Sequence, residues 1–354
     1  MRRDRATDGK PIIRLTSGLQ IGEGNLAAGL GLIALALALA CLSTGLGSTE
    51  TGMPDLLHSL AGGALPDAEA YALWNVRLPR IVLGFMAGWS VALAGAMLQS
   101  LARNPLADPG LFGLSQGSIT MIMLLLVFFP AASKLLVAFA AVGGGLAVAL
   151  LLIGLVGGER SSGLAILLMG IAIETMLSAL ASVLLLYTPA ETSYALSDWL
   201  AGSLFHADWQ LIGTFAPLFC VTPIGIFLIG RALSAYDLGN DMAMALGEPI
   251  ARSRPLVLGF AVLLSSAAVT AVGPLTFLGV LAPQLAGYVS PAIGRARLFL
   301  SALTGGILVV GADALTRGIG ADMPMPIGLA VTLIGVPLFV VALRLQALRK
   351  MHSH

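Results

Sequence analysis

A few ionisable residues fall at the ends of apolar stretches or inside them, and their types suit recognition more than bond-making. Arg77 and Arg80 stand in the run RLPR, directly ahead of a long series of apolar and small residues. Arg317 closes another apolar run, with Asp313 four residues earlier, a spacing that puts both on one helix face. Glu174 lies deep in GIAIETMLSAL. A charge placed in lipid is costly, so each of these side chains must meet a partner, a protein interior or water. The arginine fork donates two parallel hydrogen bonds to a carboxylate, so the three arginines fit either an acidic partner or a headgroup-level snorkel. Asp313 is placed to hold Arg317.

Bond-making chemistry has no visible seat. There is no nucleophile elbow, no H-E-x-x-H pattern and no G-x-x-x-x-G-K-[ST]; the one Gly-Lys pair, Gly9-Lys10, is followed by Pro11. His58, His206, His352 and His354 lack ligand spacing with one another or with Cys and Glu, so neither a catalytic residue nor a metal site is expected. Cys41 and Cys220 sit singly in apolar stretches and read as buried, inert thiols.

The elements that position these residues are membrane spans. The 354-residue chain is 57% hydrophobic and 10% charged, far too apolar for a water-soluble domain. Its formal net charge of +1 points to no nucleic-acid partner. Apolar stretches of about twenty residues fall at 25–45, 80–100, 111–130, 134–156, 164–187, 210–230, 255–273, 275–290, 297–317 and 326–346. The expected architecture is an all-α polytopic membrane protein of about ten transmembrane helices. Residues 1–24 form a polar tail, 25–347 the membrane domain and 348–354 a second tail. The stretch at 275–290 is the weakest, crowded by Gly273, Pro274, Gly279 and Pro283.

Fifteen of the nineteen basic residues fall on the side of the two termini, including Arg103, Arg160, Arg231, Arg252, Arg254, Arg295 and Arg297. The positive-inside rule therefore places both termini in the cytoplasm. Arg77, Arg80, Lys134 and Arg317 are the four left outside. Gly84, Gly88 and Gly95 recur at near-helical spacing in the second span and predict close approach by another helix. The inner loop 231–254 carries Leu238, Met242, Ala245 and Leu246 at helical spacing behind Asp237, a candidate N-cap. Such an amphipathic segment grips a partner or lies on lipid; its acids Asp237, Asp241 and Glu248 argue for the partner.

RLPR, the Gly/Ala-rich helix after it, GAMLQ and NPLADPGLFGLSQG closely resemble the FecCD-type permeases of bacterial ABC importers for iron-siderophores, haem and cobalamin. The resemblance runs from about Arg77 to Leu345. It implies the type II ABC importer permease fold, in the bacterial inner membrane, with no cofactor on this chain and with ATP and Mg bound by a separate ATPase. It also implies two ATPase subunits, a periplasmic substrate-binding protein and a second permease, identical or paralogous. Arg77, Arg80 and Arg317 match positions that pair with glutamates of the binding protein. Leu238, Gly239, Asn240, Asp241, Ala245, Leu246 and Gly247 match the coupling helix seated in the ATPase. The fifth span lines the family's translocation path, which makes Glu174 a candidate contact for passing substrate.

The pattern departs from the family at Gln284 and Gly287, where a Pro-His-x-x-Arg ending is usual, and at Pro324, which stands where the acid of Glu-Leu-Pro-x-Gly is usual, while Pro326 and Gly328 keep the Pro and Gly. A paralogous partner retaining those residues would explain the loss. The resulting expectation is import of a ferric siderophore by alternating access; haem, cobalamin or another chelate is the alternative cargo. An ion-coupled secondary transporter resting on Glu174 and Asp313 is the alternative class.

Overall fold

A computed structural model describes residues 2–5, 11–14, 20–47, 49, 51–156, 163–188, 190–319 and 325–351. Arg160, Pro324, His352 and His354 lie outside the described residues. The polar tail holds structure that a search for apolar stretches does not see. Strands β1 (Arg2–Arg5), β2 (Pro11–Arg14) and β3 (Gln20–Gly22) pair antiparallel in that order. Ile12 of β2 is buried, and Arg3 reaches Glu23, in the first turn of the helix that follows, at 3.1 Å.

The rest is helical. Helix α1 spans Glu23–Thr44, followed on the outer side by the short α2 (Met53–Leu60) and α3 (Asp67–Tyr71). From α3 a wide π turn, Ala72–Arg77, runs without a break into α4, Leu78–Ala102. Helices α5 (Leu114–Phe128), α6 (Lys134–Val156) and α7 (Gly163–Leu186) follow, then the short outer α8 (Ala190–Leu200). Helix α9 (Trp209–Tyr236) leads through α10 (Asn240–Ala245) to α11 (Ile250–Val272), and α12 (Leu278–Val289), α13 (Gly294–Ile319) and α14 (Ile327–Met351) complete the chain. Helix α14 thus continues through most of the expected tail 348–354.

Each of the ten expected spans contains a helix, and eight of the described helices are long and apolar enough to cross a membrane. The other two, α5 and α12, are shorter than their apolar stretches. Their entries explain it: Gly113 and Phe277 precede them in the left-handed region, at φ 71° and 62°, so the chain ahead is irregular. Irregular backbone beside a span persists where protein covers its polar groups, and Ala107, Phe112 and Leu275 are buried.

Helix α4 is the central pillar, buried along nearly its whole length. A methyl on Gly88 would strike the Gly305 carbonyl of α13, and one on Gly95 the Gly279 carbonyl of α12. The close approach expected from the glycine spacing is therefore real, and it joins α4 to two neighbours. Gly117 and Gly144 make the equivalent contact between α5 and α6, whereas Gly143 faces open space. The cysteines differ from expectation: Cys41 is half-buried and Cys220 exposed, both free, because each lies on the outward side of its helix.

Candidate functional sites at the two ends of the bundle

At the outer end the arginines are turned into the protein. Arg77 is only 4% exposed. Its Nη1 donates to the carbonyls of Thr44 and of Thr51, the latter at 2.7 Å, and its Nη2 donates to the Thr49 carbonyl at 2.6 Å and the Thr49 hydroxyl at 2.7 Å. One guanidinium thereby fixes the turn between α1 and α2. Asp313, 2% exposed, accepts from Arg80 Nη2 at 2.6 Å and from Arg317 Nε at 2.9 Å. Arg317 also donates to the Ser43 and Leu46 carbonyls at 3.1 and 2.9 Å and to the Ser43 hydroxyl. Asp313 holds Arg317 as its spacing predicts, and holds Arg80 as well.

Arg77, Arg80 and Arg317 wall a cavity of about 690 Å³ whose rim includes Tyr71, Phe205 and Met325. Three arginines against one aspartate leave it cationic, and Arg80 Nε has no hydrogen-bond partner among the described residues. Beside it, Trp209 Nε1 donates to the Trp74 carbonyl at 2.7 Å. Asp208 caps α9 through the Leu211 N–H at 2.6 Å. That N–H, aided by Lys134, holds the Asp208 carboxyl below the usual carboxylate range against the opposing effect of burial.

At the inner end the loop expected at 231–254 is mostly helix. Helix α9 continues to Tyr236 and α11 starts at Ile250, so the connection is 237–249 and Arg252 and Arg254 stand within α11. Asp237 ends α9 and does not cap α10; Gly239, with φ 102°, occupies that position. The turn is anchored by Ala243, fully buried, while Leu238, Met242 and Leu246 are 63%, 52% and 61% exposed. Asp241, Ala245 and Gly247 are exposed beside them, and Asn240 is half-buried. With Met244, 45% exposed in the same short turn, these large apolar side chains form a knob with no cover among the described residues.

Arg297 connects that knob to the core. Its Nη1 donates to Ser100 Oγ at 2.9 Å and meets Asp237 Oδ1 at 3.4 Å; its Nη2 donates to Gln99 Oε1 at 3.0 Å. The Gln99 amide in turn donates to the Gly279 carbonyl of α12 at 3.1 Å. Arg103, at the left-handed end of α4, lies over Gly239. Gln284 donates to the Pro105 carbonyl at 3.1 Å, giving this departure from the family pattern a structural task, while Gly287 faces open space. Counting basic residues in loops did not single out Arg297; Gln99, a lone amide closing the apolar α4, was the available signal.

Between the two ends, the segment after α4 folds back into the protein. Asp108 Oδ1 accepts the Gly110 N–H at 2.7 Å. Its Oδ2 faces the Gly279 N–H at the start of α12 without closing a hydrogen bond of normal geometry. Glu174 of α7, half-buried, lines the same small cavity of about 100 Å³.

The sequence profile described as the FecCD transport family matches residues 35–345. The chain belongs to this family. Among FecCD relatives, the Fe(3+)-citrate import system permease protein YfmE of Bacillus subtilis is 34% identical over 278 residues, covering 78% of this chain and 83% of the relative. The ferric enterobactin transport system permease protein FepG of Escherichia coli is 30% identical over 290 residues, covering 81% and 86%. A solved structure of a transporter assigned to the metal-chelate ABC class, in an inward-facing conformation, superposes with a TM-score of 0.77 at 26% identity, over 90% of this chain and 99% of that one. FecCD proteins of this kind are permease subunits, transport components and not enzymes, whose ATPase is a separate chain. The chain is thus a multi-pass membrane permease, and the alternative of an ion-coupled secondary transporter gives way to the FecCD match.

Proposed function

We propose that this chain is the permease of an ATP-driven importer that carries a ferric siderophore across the bacterial inner membrane, with both termini in the cytoplasm. The observation that carries the reading is the exposed apolar knob of α10, tied through Arg297 to α4 and α12, in a chain that matches the FecCD family almost throughout. Leu238, Gly239, Asn240, Asp241, Ala245, Leu246 and Gly247 would seat in an ATPase that binds ATP and Mg itself. ATP-driven movement of this knob would swing the spans between two access states. Relatives named for haem and for cobalamin support those chelates as the second reading of cargo.

The outer cavity is the docking site for the acidic contacts of a periplasmic binding protein. Arg80 and Arg317, with side chains 19% and 14% exposed, offer the accessible charge, and Arg77 shapes the rim by fixing the turn between α1 and α2. A second permease, a copy or a paralogue, would complete the path along the exposed side of α7. Mass spectrometry of what co-purifies with a tagged chain from native membranes tests the whole reading. An ATPase in equal amount, with or without a second permease, is the expected result; no ATPase even after crosslinking overturns it. Reversing charge at Arg80 with Glu should weaken capture of the loaded binding protein by about tenfold; unchanged capture removes the docking assignment.

A further inference from the structure

The passage itself carries a charge pattern that the arginine-rich outer end conceals. Within α7, Glu174 is the only ionisable residue. Thr175 and Ser182 are exposed and Ser178 half-buried on the same helix; the Thr175 and Ser182 hydroxyls donate to the carbonyls of Ile171 and Ser178 one turn back, and Thr188 and Ser193 line a second small cavity beyond its outer end. The hydroxyls are satisfied in either surrounding, whereas a carboxyl in their midst calls for water or a protein interior and not lipid. Glu174 shares its cavity with Asp108, and among the described residues lining it these two alone are ionisable. Asp108 is 7% exposed, with one oxygen lacking a hydrogen-bond partner. Like charges along a narrow, weakly screened wall add to one another and focus their field.

We propose that Glu174 and Asp108 make the passage charge-selective, favouring neutral and cationic ferric chelates and slowing those with excess negative charge. The proposal rests on the reading that the exposed side of α7 faces the translocation path. Glu174 meets the cargo directly and supplies most of the discrimination; Asp108, behind it, adds a smaller share. Two relatives differ in the chelate their names carry, ferric citrate and ferric enterobactin, so the same fold serves different cargoes, and wall charge is one means of setting the choice.

The test uses the complete importer in proteoliposomes and one ferric trihydroxamate scaffold in three forms: neutral, amine-bearing and carboxylate-bearing. Uptake of each is normalised to its capture by the binding protein. The native importer is expected to move the amine form at least about fivefold faster than the carboxylate form. Glu174→Gln should bring the ratio close to unity, Glu174→Lys should invert it, Glu174→Asp should retain it, and Asp108→Asn should lower it by less than Glu174→Gln. An unchanged ratio in Glu174→Gln and Glu174→Lys, with intact ATP-stimulated uptake of the neutral form, overturns the proposal. Single cysteines at Ser178 and Ser182, in a chain lacking Cys41 and Cys220, separate the two layers. Labelling by a membrane-impermeant thiol reagent with an unchanged ratio defeats charge selection alone, whereas no labelling defeats the path reading and the proposal with it.

Discussion

The two ends of α13 handle an arginine in opposite ways. At the outer end, Arg317 and its neighbours Arg77 and Arg80 are held by backbone carbonyls, hydroxyls and one buried carboxylate. At the inner end, Arg297 is held by a neutral amide, a hydroxyl and a long contact to the half-exposed Asp237. A buried charge stripped of its partner is heavily penalised, so the outer network permits one arrangement. An arginine held by a neutral amide, a hydroxyl and one long carboxylate contact is held less tightly than one on a close carboxylate, and exchanges partners more readily. The contrast assigns rigidity to the outer end and adjustability to the end that bears α10.

Four substitutions test that contrast. Asp313→Ala should have the largest effect on stability, about 3–5 kcal/mol, because two partly buried guanidiniums lose their shared, buried carboxylate. Thermal unfolding and monodispersity in detergent read it, and a well-folded variant would refute the rigid outer end. Arg77→Met comes next, at about 2–3 kcal/mol, through buried carbonyls left unpaired; limited proteolysis between α1 and α2 should rise sharply. Arg297→Gln should cost only about 1 kcal/mol yet lower the uptake obtained per ATP hydrolysed. If hydrolysis and uptake fall together there, the inner contacts are structural and the comparison fails. Leu246→Ser should alter stability by less than about 0.5 kcal/mol while weakening ATPase association roughly tenfold, measured by co-sedimentation of reconstituted vesicles.

The spans were legible because hydropathy over a whole helix averages out local irregularity. The glycines of α4 were legible because contact between helix backbones imposes a periodic requirement on one chain segment. What escaped was set by residues far apart in sequence. Arg77 looked like an outward-facing charge, and the carbonyls that bury it belong to Thr44, Thr49 and Thr51 on a different element. Arg297 looked like loop charge until α4 supplied Gln99 and Ser100. The short lengths of α5 and α12 depend on left-handed backbone at Gly113 and Phe277, and only the glycine advertises that conformation. Strands of three or four residues in the tail leave no trace in a window sized for spans. Asp237 was misassigned by the same logic in reverse: a good capping residue near a helical pattern, claimed by the end of the preceding helix.

The π turn at Ala72–Arg77 gives this chain an uncommon sensitivity to its own length. A π turn holds one residue more than the α turn it replaces, and each helical residue turns the chain by about 100°. Deleting a single residue between 72 and 77 would let the segment relax into ordinary helix. The short α3 just ahead of it would then pivot about α4, taking Ala68 and Tyr71 away from the wall of the outer cavity. The glycine contacts that bind α4 to α12 and α13 would remain unaltered. A reading frame shortened by one codon at this point would thus keep the bundle and lose its vestibule.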